Sequence, residues 1–156
     1  MTSADRRSDD SAAALPASGC LLAIDLGDKR IGLAASDPTQ LLAHPVDTLT
    51  RRVGKRFPLK QLRDHLDRHR PVGIVIGLPL ESDGSEGTRA HEARDIAALL
   101  AQNTGLPTVM VDERMTTARA LRAVREMGGT TRGRKGEVDR LAATTLLQSF
   151  LDGRRR

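Results

Sequence analysis

The residues with the clearest chemical potential are acids set in apolar surroundings: Asp25, the Asp112-Glu113 pair and Asp139. Asp25 interrupts the apolar run Leu21–Leu26. A carboxylate inside such a run is costly unless a metal ion or a paired Arg or Lys meets it. Asp112 and Glu113 follow the segment Pro107–Val111, at the carboxyl end of an expected strand, where open α/β sheets hold their ligands. If strand alternation persists, Glu113 shares a face with Val109 and Val111, and Asp112 points away with Thr108 and Met110. Glu113 is then the expected site residue of the two. Asp139 leads a helical stripe with Ala143, Leu146 and Phe150, so it faces the sheet. It sits in the first turn of its helix, where the dipole favours its charge.

Carboxylates from three separate segments suit a hard divalent cation, Mg²⁺ or Mn²⁺, which takes oxygen ligands. Two such ions, about 3.5–4 Å apart, stabilise both the attacking and the leaving oxygen when a phosphodiester is displaced in line. Asp25, Glu113 and Asp139 are therefore the candidate catalytic and metal-binding residues, with Asp112 as a neighbouring ligand candidate. A plainer reading stays open: an Asp beside a turn caps backbone amides, and Asp112-Glu113-Arg114 forms a local ion pair.

The elements that must position these acids can be read from periodicity. LLAIDLGDKRIGL over Leu21–Leu33 reads as a strand, a tight turn and a returning strand. Leu21, Ala23 and Asp25 fall on one face, Leu22, Ile24 and Leu26 on the other. Both faces are apolar, which predicts a central strand. Leu41–Thr50 reads as a third antiparallel strand, with Pro45 marking an edge or a bulge. A helix follows from Pro58, with Leu59, Leu62 and Leu66 on one face, and Pro71 stops it. Val72–Gly77 is an expected parallel strand and Leu78–Gly87 a turn-rich loop. Ala90, Ala93, Ala97 and Leu100 line the next helix, which Gly105 ends. Beyond Pro107–Val111, a helix from Thr116 to about Met127, a basic flexible loop over Thr130–Gly136 and a last helix over Glu137–Leu151 are expected. The order predicts an α/β protein: a mixed five-stranded sheet, an antiparallel three-stranded meander plus two parallel strands, flanked by helices. Residues 1–19 read as a disordered tail, 20–152 as the domain and 153–156 as a basic end.

Composition narrows the partners. The chain has 156 residues and a formal charge of +5, which suits a polyanion. Arg114, Arg119, Arg122 and Arg125, then Arg132, Arg134 and Lys135, lie between Glu113 and Asp139 in sequence. This segment, with Lys29 and Arg30 beyond Asp25, is the expected phosphate-binding surface. A solvated helix face and hairpin tip would explain part of it equally well. Gly27 and Gly32 are expected to serve backbone geometry. The Gly77–Gly87 loop, including Gly84, offers amides for a phosphate or forms a plain turn. Two Phe and no Tyr or Trp leave almost nothing for base stacking, so recognition by shape and backbone is expected. His65 and His69 share a helix face without an evident third ligand, and read as surface histidines. One cysteine excludes an internal disulfide. No stretch is long enough to span a membrane and no signal peptide is evident, so a cytoplasmic protein, monomer or homodimer, is expected.

The motifs IDLGDKRIGLAASD, VIGLPLESDGSEG, VDERMTT and KGEVDRLAATTLLQSFLD, in that order, resemble the YqgF (RuvX) family. The resemblance covers about Leu21–Asp152. It implies the RNase H-like fold, kinship with Holliday-junction resolvases and a nuclease role in 5′-end maturation of pre-16S rRNA, in ribosome biogenesis. It also implies that Asp25, Glu113 and Asp139 form the acidic site. In the broader superfamily a central strand often ends in an acid. Here that strand ends in Gly77-Leu78-Pro79, so Glu113 must supply the group. The alternatives are a resolvase acting on DNA as a dimer, a non-catalytic assembly factor that binds nucleic acid, and a phosphotransferase. The last would need a second similar half to close around ATP.

Overall fold

The structure, a computed structural model of the chain, describes residues 15–51, 56–114 and 135–155. Its elements run β1 (Leu21–Leu26), β2 (Arg30–Ser36), β3 (Ala43–Thr50), α1 (Leu59–His69), β4 (Gly73–Leu78), α2 (Thr88–Thr104), β5 (Thr108–Asp112) and α3 (Lys135–Arg154). Residues 1–14 of the tail expected over 1–19 and the expected helix over 116–127 lie outside the described residues.

The strands form one sheet in the order β3-β2-β1-β4-β5. β1 pairs antiparallel with β2 and parallel with β4, and β5 adds parallel to β4. This is the expected mixed sheet, with β1 at its centre. Two apolar faces put it there. Leu22 and Ile24 pack with Leu62, Ile96 and Leu100 of α1 and α2. Leu21 and Ala23 pack with Ala143, Leu147 and Leu151 of α3. Helices on both sides leave the sheet no wet face.

β3 is an edge strand and carries a bulge. Leu33 pairs with Asp47 but Ala34 with Pro45, so Val46 is the extra residue. Both roles proposed for Pro45 therefore hold, since proline removes a ladder donor. The strand starts two residues later than expected: Leu41 and Leu42 are exposed in the turn. Asp37 organises that turn. Its carboxylate accepts from the amides of Leu41 (2.9 Å), Leu42 (2.7 Å) and Thr39 (3.1 Å) and from the Thr39 hydroxyl. Those bonds, the Thr39 hydroxyl first, lower its pKa from 3.8 to about 2. A depressed carboxylate pKa stabilises the fold above the unfolded value and stops doing so as pH falls through the folded one. The turn is thus expected to hold down to about pH 4 and to loosen between there and about pH 2. The amide shifts of Thr39, Leu41 and Leu42 during an acid titration check this.

The packed chain reaches further toward the N-terminus than Cys20. Leu15 is buried against β1 and α3. Arg154, near the end of α3, donates to the Leu15 carbonyl (3.0 Å) and to Gln40 Oε1 (2.7 Å). α3 also starts two residues earlier and ends three later than Glu137–Leu151, taking in Lys135 and Gly136.

His65 corrects an expectation. It is buried, not a surface histidine, and its Nε2 meets Asp47 Oδ2 at 2.9 Å, tying α1 to β3. Its ring stacks on that of His69. The signal was present: His65 lies three residues after Leu62, inside the apolar stripe of α1.

Candidate functional site

Asp25, Glu113 and Asp139 are 0%, 2% and 0% exposed, three of the few charged or polar side chains buried among the described residues. Strand register explains how they come together. Asp25 on β1 lies opposite Gly32 on β2. On the other side Ile24 pairs with Ile76, so one step further sets Asp25 beside Gly77 on β4. Gly77 in turn pairs with Val111 on β5. Gly32, Asp25, Gly77 and Val111 thus form a row across the sheet on the face that α3 covers.

The two glycines flanking Asp25 make room for the other two acids. A Cβ on Gly32 would fall against the backbone carbonyl of Asp139, 2.7 Å from its carbon. A Cβ on Gly77 would fall on the Glu113 carboxylate, 2.6 Å from Cδ. Asp139 therefore rests over Gly32, and the Glu113 carboxyl over Gly77, on either side of Asp25. Neighbouring strands are about 4.8 Å apart, so the row from Gly32 to Gly77 spans about 10 Å. Gly77, expected in a phosphate loop, instead yields space to a carboxylate. That role could be read only once Gly77 was paired with its neighbours.

The expected split between Asp112 and Glu113 is present. Glu113 continues the alternation of Val109 and Val111 toward α3. Asp112 leaves the row and pairs with its own neighbour: Arg114 donates from Nη2 to Oδ2 at 2.8 Å, and from its backbone amide to Oδ1 at 2.9 Å. This bond and the Asp112 charge raise the Arg114 pKa further. The local ion pair considered from the sequence is thus Asp112–Arg114, with Glu113 outside it.

Arg30 and Arg114, expected on the nucleic-acid backbone, are each engaged with a carboxylate. Arg30 Nε donates to Asp139 Oδ2 at 2.8 Å. Lys29 is exposed at the hairpin tip. Gly27 closes that hairpin by donating to the Arg30 carbonyl (3.0 Å). Gly84, at φ +90°, turns the loop after β4, beside the Arg114 guanidinium. Arg119, Arg122, Arg132 and Arg134 lie outside the described residues, as does the side chain of Lys135.

The donor chemistry of the row fits a hard cation: three carboxylates, all oxygen, from three elements, on one buried face. Among the described residues, no three His, Cys, Asp or Glu side chains are already gathered into a ligand cage. The fit is therefore one of donor type and placement. No helix among the described residues is long and apolar enough to cross a membrane.

Similar proteins are matched along most of their length. A protein named "Putative pre-16S rRNA nuclease" from Mycobacterium sp. (strain KMS) is 38% identical over 157 residues, covering 99% of this chain and 93% of the relative. A protein of the same name from Cereibacter sphaeroides is 43% identical over 147 residues, covering 94% and 91%. Among solved structures, the fowlpox virus resolvase in complex with its Holliday junction DNA substrate aligns with a TM-score of 0.50. It covers 88% of this chain and 99% of that one at 13% identity, a likeness of fold: the RNase H-like sheet. The family model RuvX, described as Holliday junction resolvase, matches residues 19–153. With that match and relatives above 30% identity along nearly the full chain, the resemblance seen in the motifs holds, and the chain belongs to the RuvX family.

Proposed function

We propose that this chain is a metal-dependent endonuclease that hydrolyses phosphodiester bonds in structured RNA, in 5′-end maturation of pre-16S rRNA. The observation that carries the reading is the acid row: Asp25 flanked by two glycines over which Glu113 and Asp139 lie, all three buried. A protein that only binds nucleic acid has no need to bury three carboxylic side chains side by side, since burying each polar group costs free energy. The names of the curated relatives support pre-16S rRNA as the substrate.

Asp25, Glu113 and Asp139 would hold Mg²⁺ or Mn²⁺. Bound there, the ions would activate water and neutralise charge on the leaving oxygen. Asp112 does a different job: it holds the Arg114 guanidinium at the mouth of the loop after β4. Lys29 meets the phosphate backbone from the hairpin tip. By charge and position in the sequence, Arg119, Arg122, Arg132, Arg134 and Lys135 are the further phosphate-binding candidates. With no Trp or Tyr and two Phe, the protein reads shape and backbone, in a precursor RNA or ribosomal particle in the cytoplasm.

A second reading is junction resolution on DNA, favoured by the description of the family model. It needs a dimer to cut symmetrically. Purified protein is incubated with 5′-extended pre-16S RNA and with a four-way DNA junction, in Mg²⁺, Mn²⁺ or EDTA. RNA cleavage that EDTA abolishes is the expected result. Junction cleavage with intact RNA selects the second reading.

A further inference from the structure

Arg30 opens β2, two residues before Gly32 and on the same face. Its side chain therefore stands on the face of the acid row, about 7 Å nearer the open end of the sheet. From there Nε donates to Asp139 Oδ2 at 2.8 Å. Asp139 is fully buried, while the Arg30 side chain is 25% exposed. Arg30 thus spans the boundary between the buried carboxylates and solvent.

An arginine presents five N–H donors in a rigid plane. One is engaged by Asp139, and no other partner of the Arg30 side chain is found among the described residues. Three other described arginines around this end of the sheet pair with acids that lie outside the row. Arg114 holds Asp112, Arg89 holds Asp28 at 2.7 Å, and Arg51 pairs with Glu92 while donating to the Gly27 carbonyl. Among these described arginines, Arg30 is the one seen paired with an acid of the row, through Nε, and its side chain is partly exposed to solvent.

We propose that Arg30 joins substrate to site: Nε fixes Asp139 while Nη1 and Nη2 grip a non-bridging oxygen of the scissile phosphate. This inference rests on the nuclease reading above. Both contacts come from one plane, so a phosphate seated squarely on the fork also holds Asp139 in its orientation. Lysine cannot reproduce this. Its ammonium is a compact charge on a flexible stem, with three rotatable donors and no fixed planar fork.

The test compares Arg30→Lys and Arg30→Gln with wild type in the full chain. Mn²⁺ binding is measured by calorimetry without RNA, RNA binding by anisotropy in EDTA, and cleavage as kcat and KM. Arg30→Lys keeps the charge and is expected to melt with the wild type and to bind RNA nearly as well. Its Mn²⁺ affinity is expected to fall about tenfold or more, as when a hydrogen-bond partner of a metal ligand is lost. Its kcat should fall about a hundredfold at similar KM, the effect of a small misplacement at the reacting centre. Arg30→Gln is expected to weaken RNA binding as well. Wild-type kcat and Mn²⁺ affinity in Arg30→Lys overturn the inference. Asp25→Asn, run in parallel, separates the two levels. If it is inactive while Arg30→Lys is normal, only the role of Arg30 fails. If it cleaves like wild type, the nuclease reading fails.

Discussion

Asp25→Asn is expected to lower metal-dependent RNA cleavage by about three orders of magnitude while leaving the protein folded. Loss of a charged ligand at the centre of the row removes several kcal/mol of charge stabilisation in the transition state, and each 1.36 kcal/mol is about a factor of ten in rate. The substitution is close to isosteric. It leaves two carboxylic side chains where the row has three, within about 10 Å of each other. In EDTA the variant should melt close to wild type. Metal should separate them. Mn²⁺ at a hundred times its Kd stabilises a one-site protein by about 2.7 kcal/mol. At about 2–4 °C per kcal/mol for a chain of this size, that raises Tm by roughly 5–10 °C. Wild type should show this rise and Asp25→Asn should lose most of it. Unchanged cleavage by the variant would falsify the assignment of Asp25.

The two glycines beside Asp25 are expected to fail in different ways when each is replaced by alanine. At Gly32 the added methyl meets the Asp139 backbone carbonyl and lies 3.4 Å from the Ala143 methyl. Backbone in the first turns of a packed helix cannot step aside alone, so α3 must shift off β2. Overpacking of this kind costs about 3 kcal/mol, a large share of the roughly 5–15 kcal/mol that stabilises a typical domain. Gly32→Ala should therefore lower the urea midpoint strongly and reduce soluble yield. At Gly77 the three atoms nearest the added methyl all belong to the Glu113 side chain. The end of a flexible side chain gives way at less cost than helix backbone does. Gly77→Ala should keep a near-native urea midpoint yet lose cleavage and metal affinity, because Glu113 no longer lies beside Asp25. Equal destabilisation by both substitutions would remove the argument that Gly77 exists to seat Glu113.

Sequence alone determined which acids stand in apolar surroundings and which face each one takes. The period of two through LLAIDL made β1 a buried central strand and set Asp25 apart from Leu22 and Ile24. The same period through VMVDE separated Glu113 from Asp112, and the stripe from Asp139 to Phe150 aimed Asp139 at the sheet. These are local properties: a strand or helix orients its own side chains whatever it packs against. The four ordered motifs added the family and hence the fold. Tertiary structure decided what depends on neighbours distant in the chain. Register brought Gly32 and Gly77 to either side of Asp25, and only then did their missing side chains acquire a purpose. The partner of Arg30 lies 109 residues away, so charge patterning could mark Arg30 as basic but could not assign it to Asp139. His65 looked like a surface residue until β3 supplied Asp47. Periodicity reports which way a side chain points, and the distance it must reach to find a partner is fixed only when the sheet closes its register and α3 settles across it.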